Sequence, residues 1–455
     1  MATLRIASWA VSLTYADLPE SVVRAAVRSF YNWTGCAIGG STHPTTTTAS
    51  KALAAFFGAP TSSILGGGAG GQDGLPARRT DASHAALVNG IASHVHDYDD
   101  THLETIIHPT GPVASALLAQ AEASGADVCG EQFILALVVG IEVECKVGLA
   151  VWPAHYDVGW HITSTTGSIG AAVAVGKLLN LSEKQVAHAI GIAATQVAGL
   201  REMFGSDTKS FHVGRAAQNG LMAAILALNG YTSSLQALEA KRGWANVVST
   251  TQNLDLQVAT LGRVWEIDRN AFKPFPCGIV VHPVIDGCIQ LHKEMKAKGL
   301  SASNIKAVSS KVHPLVLELT GKKTPQDGLQ AKFSVYHGGA VGLVLGKAGP
   351  AQYDDSVVTN AEMISVRDKI DAIADDQLRT DEAEMVVEFQ DRQALNCHVE
   401  HAIGSLDVPM TDEQLEEKFI DQASLVLGIE RARKASQTCW ALKKVRHVGD
   451  LVRAL

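Results

Sequence analysis

The chain has 455 residues, of which 46% are hydrophobic and 18% are charged, and its formal net charge at pH 7 is −8. This length is greater than that of one average domain, so we expect two domains, or three at most. A negative charge without a block of basic residues argues against nucleic acid as a partner and favours a small molecule.

Neither a membrane span nor a targeting segment is predicted. The longest apolar stretch, residues 133–143, contains Glu142 and is much shorter than the roughly 20 residues that cross a bilayer. The N-terminal residues lack the patterns of signal and transit peptides. Seven scattered cysteines, with no Cys-x-x-Cys pair, are typical of reduced thiols. We therefore expect a soluble protein of the cytoplasm, with no membrane partner.

Helical patterns fill the first 268 residues. Apolar residues recur at helical spacing from Val22 to Phe30, after an acidic start that contains a proline. Glycine and alanine crowd segments 167–172 and 189–194, and such small residues allow helix axes to approach closely. The sequence therefore predicts a mainly α fold with a large all-helical domain over residues 1–268.

Short runs of β-type composition begin only after this region. They lie at 305–308, 385–389 and 395–399, with helical stretches between them. This pattern predicts a smaller α+β domain over residues 269–402. Thr411-Asp412-Glu413-Gln414 forms a capping box, so residues 403–455 are predicted to turn helical again and to return to the helical domain.

The densest group of chemically active side chains lies at residues 94–102, which contain three histidines and three aspartates, and His108 follows. Imidazoles and carboxylates are the groups most easily tuned to move protons near neutral pH. Polar clusters on loops are common where a scaffold presents chemistry, although a solvated loop is the simpler interpretation. The cluster therefore predicts an acid–base site.

A metal site is the rival interpretation of the same cluster. His94, His96 and Asp99 could hold zinc or iron in a metal-dependent hydrolase. However, Tyr98 stands where a His-x-His-x-Asp-His string has its aspartate, so the usual metallohydrolase pattern is broken. The glycine-rich segment 66–71 is not followed by Gly-Lys-Ser/Thr, and we interpret it as a flexible turn. We therefore expect a protein that needs no metal, nucleotide or other cofactor.

Several strings, read together and in order, resemble the MmgE/PrpD family. The likeness runs from about residue 4 to residue 425. A set of ordered blocks is more specific than any one motif. The blocks are residues 85–90, 97–101, 108–111, 159–161, 209–217, 272–277, 331–334, 409–411 and 418–419.

The resemblance implies a cofactor-free homodimer in which a helical domain carries a smaller α+β lid, with the active site between them. It also implies a small polycarboxylate as substrate and a reaction that moves a proton on a carbon beside a carboxylate. Dehydration of a 2-methylcitrate-like hydroxy acid, decarboxylation of cis-aconitate and epimerisation of a dicarboxylate are the reactions of such members. The residues that the decarboxylase branch would place around the substrate are Asp97, Thr101, His108, His161, Lys209 and Lys273.

One position separates these reactions. The decarboxylase branch carries a tyrosine shortly after Lys332-Phe333-Ser334, whereas in this chain Tyr336 comes one place early and His337 fills that slot. We therefore interpret His337 as a catalytic candidate and Tyr336 as a substrate contact. The changed proton donor favours dehydration over decarboxylation.

Dehydration requires a base, an acid and cations that hold the charge developing on the carboxylate. His161, at the start of a small-residue helix, suits a base beside an anion, and His108, on a loop stiffened by proline, is the second member of the predicted acid–base pair. Lys209 and Lys273 are the predicted cations. Each of these side chains has a simpler alternative, a packed core histidine or a surface lysine.

Three further residues are predicted to assist. Asp97 could orient a histidine or fix Thr101, the supporting role that carboxylates often take. His212 and Arg215 lie within two helical turns of Lys209 and could contact a second carboxylate, or could cap and pair at the surface. A lyase that dehydrates a citrate-like acid is thus the predicted function, and a non-catalytic helical scaffold is the alternative that leaves the clustered side chains unexplained.

Overall fold

The structure, a computed structural model, describes residues 1–66, 79–125, 127–391 and 393–452. Two large hydrophobic cores and one small cluster, formed by Ile107, Tyr156 and Ile162, organise these residues. One core is built from Ala2 to Phe272 and from Met410 to Val452, and we call this part the helical unit. The other core is built from Phe275 to Ala402, and we call this part the lid. The glycine-rich positions 67–71 lie outside the described residues.

The first part of the helical unit contains twelve α-helices and two pairs of short strands. The helices are α1 (Ala2–Ser12), α2 (Glu20–Gly40), α3 (Pro44–Leu53), α4 (Ala82–His94), α5 (Thr110–Ala123), α6 (Gly130–Val151), α7 (Ala154–Val158), α8 (Ile162–Leu178), α9 (Glu183–Ala194), α10 (Asp207–Leu228), α11 (Trp244–Val248) and α12 (Leu254–Val258). The strands are β1 (Ser62–Ser63), β2 (Arg79–Thr80), β3 (Asp100–His102) and β4 (Asn270–Phe272).

The described residues of the lid form six α-helices and one mixed sheet. The helices are α13 (His282–Ala297), α14 (Pro314–Thr320), α15 (Gly328–Ala331), α16 (Val335–Leu345), α17 (Asp355–Val358) and α18 (Ala361–Arg367). The strands are β5 (Ile305–Val312), β6 (Ile370–Ala374), β7 (Ala383–Phe389) and β8 (Ala394–Val399), in the order β6-β5-β7-β8. Only the β5–β6 pair is parallel.

These elements confirm the predicted fold class, a mainly helical protein with a smaller α+β part. The three β-type runs lie in β5, β7 and β8, whereas β6 was not predicted. The domain limits at residues 268 and 402 stay predictions. Among the described residues, the helices are all too short or too polar to cross a bilayer.

Small residues bring α4 and α10 into close contact. A Cβ atom on Gly90 would lie only 2.5 Å from the Cα of Gly214, so the two helices cross with almost no side chain between them. His94 ends α4 four residues after this crossing, and Lys209 lies one turn and a half before it on α10. This close approach of α4 and α10, which the sequence analysis did not single out, places His94 beside Lys209.

A two-stranded ribbon ties the loop after α4 to the start of the lid. β3 and β4 pair antiparallel, with Asp100 opposite Phe272 and Thr101 opposite Ala271. This register sets the residue that follows β4, Lys273, beside the loop that precedes β3.

The segment after the lid contributes residues from Met410 to Val452 to the core of the helical unit. It forms α19 (Asp412–Leu427), α20 (Ile429–Trp440) and α21 (Val448–Val452). The capping box at Thr411 is present, because its hydroxyl accepts from the amide of Gln414 and the Gln414 side chain accepts from the amide of Thr411. The Lys418 ammonium on α19 donates to the backbone oxygens of Tyr98 and Lys273, at 2.6 and 2.8 Å.

Candidate active site

Asp97 lies at the centre of a buried group of charges. Its Oδ1 accepts hydrogen bonds from the Nζ atoms of Lys209 at 2.8 Å and of Lys273 at 3.0 Å, and Lys273 also donates to the Asp97 backbone oxygen. Burial alone raises the pKa of this carboxyl, yet the two ammonium groups hold it well below its usual range. The backbone of Asp97 has φ of 51°, which is uncommon for a residue other than glycine and common at functional sites.

A chain of hydrogen bonds leads from Asp99 through His94 to Lys209. The Asp99 carboxylate is 2.7 Å from His94 Nδ1, and the Lys209 Nζ is 2.7 Å from His94 Nε2. Because a carboxylate only accepts, the imidazole proton is on Nδ1, and Nε2 accepts from the ammonium. Burial lowers the pKa of His94, which agrees with a neutral ring. Lys209 thus uses two of its three N–H groups on Asp97 and His94, and its third can serve a ligand.

His108 is held in one tautomer. Its Nδ1 is 2.7 Å from the backbone oxygen of Asp100, which can only accept, so this nitrogen carries the proton and Nε2 does not. The hydroxyl of Thr101 is 3.2 Å from the same Nδ1. Burial, helped by the charge of Lys273, lowers the pKa of His108 to about 3. At neutral pH the ring is therefore an uncharged base.

His161 and His212 share a proton. Their Nδ1 atoms are 3.0 Å apart, so one of the two rings donates to the other. His161 is the N-cap residue of α8, in agreement with the predicted helix start, and burial together with the nearby Lys209 holds the pKa of His161 well below its usual value. His212 follows Lys209 by three residues, so both point from one side of α10.

A cavity lies between the helical unit and the lid and contains these groups. Its lining contains a polar set of side chains, which we call the polar wall, and an apolar set, which we call the apolar wall. The polar wall is formed by Asp97, His108, His161, Lys209 and Lys273. The apolar wall is formed by Ile106, Phe204, Ile279, Val280, Leu319 and Phe333, and the remaining lining residues are Tyr156, Gly278 and Thr320.

The structure brings together seven of the ten predicted site residues. Five of them form the polar wall, and Thr101 and His212 each contact one of those five. The other three do not line the cavity. Arg215 is exposed and donates to Gln218, at 2.6 Å. Tyr336 packs in the core of the lid.

His337 also lies away from the cavity. It is fully buried on α16, its Nε2 is 3.0 Å from the backbone oxygen of Gln352, and its ring meets that of Tyr353 edge to face. Burial lowers the pKa of His337 to about 4. The ring is thus a packed histidine of the lid in this conformation, and the choice between dehydration and decarboxylation cannot rest on it.

The metal interpretation is only partly reproduced in the geometry. His96 turns away to the backbone oxygen of Gly39, so the predicted set of His94, His96 and Asp99 does not converge. His94, Asp99 and His108 do come together, with ligand atoms within 4.8 Å of one another. However, both ring nitrogens of His94 are engaged, and one of them accepts from an ammonium that would repel a cation.

We therefore predict that chelators leave turnover unchanged. The physical reason is that a metal would have to displace the Lys209 ammonium from His94 or break the Asp99 bond. The measurement is kcat/KM before and after prolonged dialysis against EDTA and 1,10-phenanthroline. Activity that is lost on dialysis and returns with added zinc or iron would contradict the prediction.

Sequence reasoning overlooked two kinds of residue at this site. Within the predicted acid–base cluster, His94 and Asp99 were given individual roles only as metal ligands, although a histidine followed five residues later by an aspartate also fits an oriented imidazole. The apolar wall was not predicted at all, because its members come from segments far apart in the chain. Of these residues, only Phe333 lies in one of the sequence blocks that resemble the family, residues 331–334.

The cavity sets two lysines and an aspartate beside neutral histidines, under a lid. This arrangement is typical of acid–base enzymes that act on small carboxylates. The family is given by comparison with known proteins. A model of the MmgE/PrpD N-terminal domain matches residues 4–257, and a model of the MmgE/PrpD C-terminal domain matches residues 275–442. The chain therefore belongs to the MmgE/PrpD family, which confirms the resemblance seen in the sequence.

Individual relatives are decarboxylases and dehydratases. The cis-aconitate decarboxylase-like protein oryM of Aspergillus oryzae is 26% identical over 99% of this chain and 96% of its own length. The cis-aconitate decarboxylase of Homo sapiens is 27% identical over 83% of this chain and 79% of its own length. The 2-methylcitrate dehydratase of Escherichia coli is 24% identical over 66% of this chain and 64% of its own length. Both activities named are lyase activities.

Proposed function

We propose that this protein is a cofactor-independent lyase that removes water from a di- or tricarboxylic hydroxy acid, with 2-methylcitrate as the model substrate. The observation that carries the proposal is the polar wall of the cavity. Two lysines that share one aspartate stand beside a histidine whose reactive nitrogen is unprotonated. Such a wall binds a carboxylate and takes a proton from the neighbouring carbon.

The proposed roles follow from the hydrogen bonds. Lys209 and Lys273 hold the carboxylate and stabilise the negative charge that builds up on it as the carbon proton leaves. His108 takes that proton at Nε2. His161 gives the proton of its Nε2 to the departing hydroxyl, which leaves as water, while His212 donates its Nδ1 proton to the Nδ1 of His161. The sequence favoured His161 as the base. We assign the base to His108 instead, because the backbone oxygen of Asp100 holds the His108 proton on Nδ1 and leaves Nε2 free to accept a proton.

Decarboxylation of an unsaturated tricarboxylate is the second candidate, and the relatives favour it, because decarboxylase names occur among proteins aligned over nearly the whole chain. Loss of CO₂ needs an acid that protonates the resulting carbanion, but it needs no base. The fixed tautomer of His108 therefore supports elimination of water more directly. Epimerisation of a dicarboxylate would use the same base and return the proton to the other face.

The test is to incubate the purified protein with 2-methylcitrate, citrate and cis-aconitate, and to follow alkene absorbance and released CO₂ separately. We expect alkene formation from the hydroxy acids, and none with the Lys273→Met variant. Rapid CO₂ release from cis-aconitate without dehydration would replace the proposal by the decarboxylase. Exchange of substrate hydrogen with solvent deuterium, without alkene or CO₂, would identify an epimerase.

The state of His108 predicts an unusual titration. Its pKa of about 3 lies below the ordinary 6.5, so the ring loses its proton at lower pH than a free histidine and stays neutral from pH 8 down to about pH 5. His401 is the internal control. Its hydrogen bond to Asp381 raises its pKa, so its titration midpoint lies above the ordinary 6.5. NMR of the histidine side chains would measure both. A midpoint for His108 near 6.5 would contradict the assigned base.

We also propose that the protein is a homodimer and that it works in the cytoplasm. The dimer is supported by membership of the family, and the location by free cysteine thiols, five of which are buried. Light scattering of the eluted protein measures the mass in solution, and fractionation of the source cells measures the location.

A further inference from the structure

Three consecutive backbone oxygens around Asp97 each accept a hydrogen bond from a different lysine ammonium. The oxygen of His96 accepts from Lys332 at 2.8 Å, that of Asp97 from Lys273 at 3.2 Å, and that of Tyr98 from Lys418 at 2.6 Å. Lys273 belongs to the polar wall of the cavity. Lys332 and Lys418 are not among the described residues that line it, so both act on the loop itself.

Lys332 belongs to the lid and directly follows α15. Besides the oxygen of His96, its ammonium reaches the backbone oxygen of Pro276, at 3.0 Å. Its own backbone oxygen accepts from the amide of Gly278, also at 3.0 Å. Lys332 therefore joins the loop that carries Asp97 to the segment that follows Lys273, and it makes this connection from the lid.

Packing alone does not explain a charge at this position. Lys332 is 4% exposed, and the acceptors of its ammonium are two backbone oxygens rather than a carboxylate. Burial lowers the pKa of Lys332 to about 8, so the group is still an ammonium at neutral pH. Burying a charge is costly, and an apolar side chain of similar volume often stabilises a protein more. The loop that the ammonium holds accounts for its presence.

The conformation of Asp97 has to be held by its surroundings. A residue other than glycine with φ of 51° persists only where neighbouring groups impose that conformation. The Asp97 carboxylate lies 2.8 Å from the Lys209 Nζ and 3.0 Å from the Lys273 Nζ, so a rotation of the peptide before it would change both distances. A displacement of about 1 Å at such a site can lower a rate by about a hundredfold.

We propose that Lys332 is a positioning residue, which holds the His96–Asp97 peptide from the lid so that the Asp97 carboxylate stays between the Lys209 and Lys273 ammonium groups. The inference rests on the proposed function for the reaction that reports it, and it adds a residue outside the cavity. It follows that the group of charges around Asp97 is complete only when the lid is packed on the helical unit.

The first test is the kinetics of Lys332→Met, which keeps the volume and removes the donor. We expect kcat with 2-methylcitrate to fall about a hundredfold, while KM changes by no more than about threefold, because the carboxylate-binding lysines remain. Lys332→Arg keeps the charge and the N–H groups and is expected to recover about tenfold of the lost kcat. A folded arginine variant as slow as the methionine variant would count against the inference.

Lys177→Met is the matched control. The Lys177 ammonium on α8 also donates to two backbone oxygens, those of Val11 and Leu13, at 2.9 and 2.7 Å, but it is not among the described residues that line the cavity. We expect its kcat to remain close to that of the wild type. Equal losses of kcat in Lys177→Met and Lys332→Met would overturn the inference, because they would reflect stability alone.

The second test needs no turnover. The amide of Asp97 donates to the backbone oxygen of His94, at 2.8 Å, and its hydrogen exchange reports the order of the loop. Mass spectrometry of peptides that cover residues 95–99 is expected to show exchange about tenfold faster in Lys332→Met than in the wild type or Lys177→Met. Unchanged exchange would overturn the inference.

The outcomes for the two proposals can be told apart. A wild-type protein that forms no alkene would overturn the proposed dehydration, whereas amide exchange would still test the role of Lys332. Alkene formation by the wild type and by Lys332→Met at similar kcat would overturn the role of Lys332 alone. Thermal unfolding checks each variant, and Lys332→Gln replaces the methionine variant if that one does not fold. Failure of both to fold would show that Lys332 is structural and would overturn the inference.

Discussion

Replacing Lys273 with methionine is expected to lower kcat/KM by about three orders of magnitude, or roughly 4 kcal/mol of transition-state stabilisation. Lys273 is 1% exposed, and its ammonium is one of the two that line the cavity. In this low-dielectric setting the attraction between a lysine and a carboxylate is far stronger than on the surface. Its loss also leaves Asp97 with Lys209 as its remaining ammonium partner, so the carboxylate would compete for the cation that the substrate needs.

The matched control is Lys298→Met. Lys298 lies at the end of α13, and its half-exposed side chain pairs with Glu294, a contact of the kind that contributes little. Steady-state rates with 2-methylcitrate should differ between the two variants by about three orders of magnitude, while their melting temperatures separate loss of binding from loss of fold. Small and equal effects would show that Lys273 is structural.

Replacing His108 with glutamine is expected to lower kcat by about two to four orders of magnitude and to abolish exchange of substrate hydrogen with solvent deuterium. Glutamine can still donate from its amide to the backbone oxygen of Asp100, so the loop is preserved, but it provides no basic nitrogen. The exchange experiment isolates proton removal from departure of the hydroxyl, because exchange requires only the base.

His161→Gln provides the comparison within the site, and His292→Gln, in the lid, provides the control for loss of a histidine. If His161 is the acid, its variant loses alkene formation but keeps hydrogen exchange. The opposite pattern, with exchange lost at His161 and kept at His108, would reverse the two roles and return to the assignment favoured by the sequence.

Local patterns predicted much of this molecule because they depend on neighbours in the chain. Helical spacing, capping at Thr411 and the β-type runs of the lid act over a few residues, and the structure follows them. The cluster after α4 was also visible, since Asp97 and His108 lie close together in sequence. β6 was missed because its five residues alternate weakly, with three of them at least partly exposed.

Other features depend on tertiary placement and could not be predicted. His337 follows a sequence block that points to the site, but the orientation of α16 turns its ring to Gln352 instead. The apolar wall combines single residues from loops and helices more than two hundred positions apart, such as Ile106 and Phe333. No periodicity marks residues that meet only when the lid packs on the helical unit.

The hydrogen bonds of Lys418 set an order of events during synthesis. The ribosome releases Asp97, Lys209 and Lys273 well before it releases α19. Until α19 docks, the backbone oxygens of Tyr98 and Lys273 lack the ammonium that donates to them, and the core of the helical unit lacks its α19 residues. We therefore expect a nascent chain to complete the surroundings of Asp97 and Lys273 only after α19 has left the ribosome.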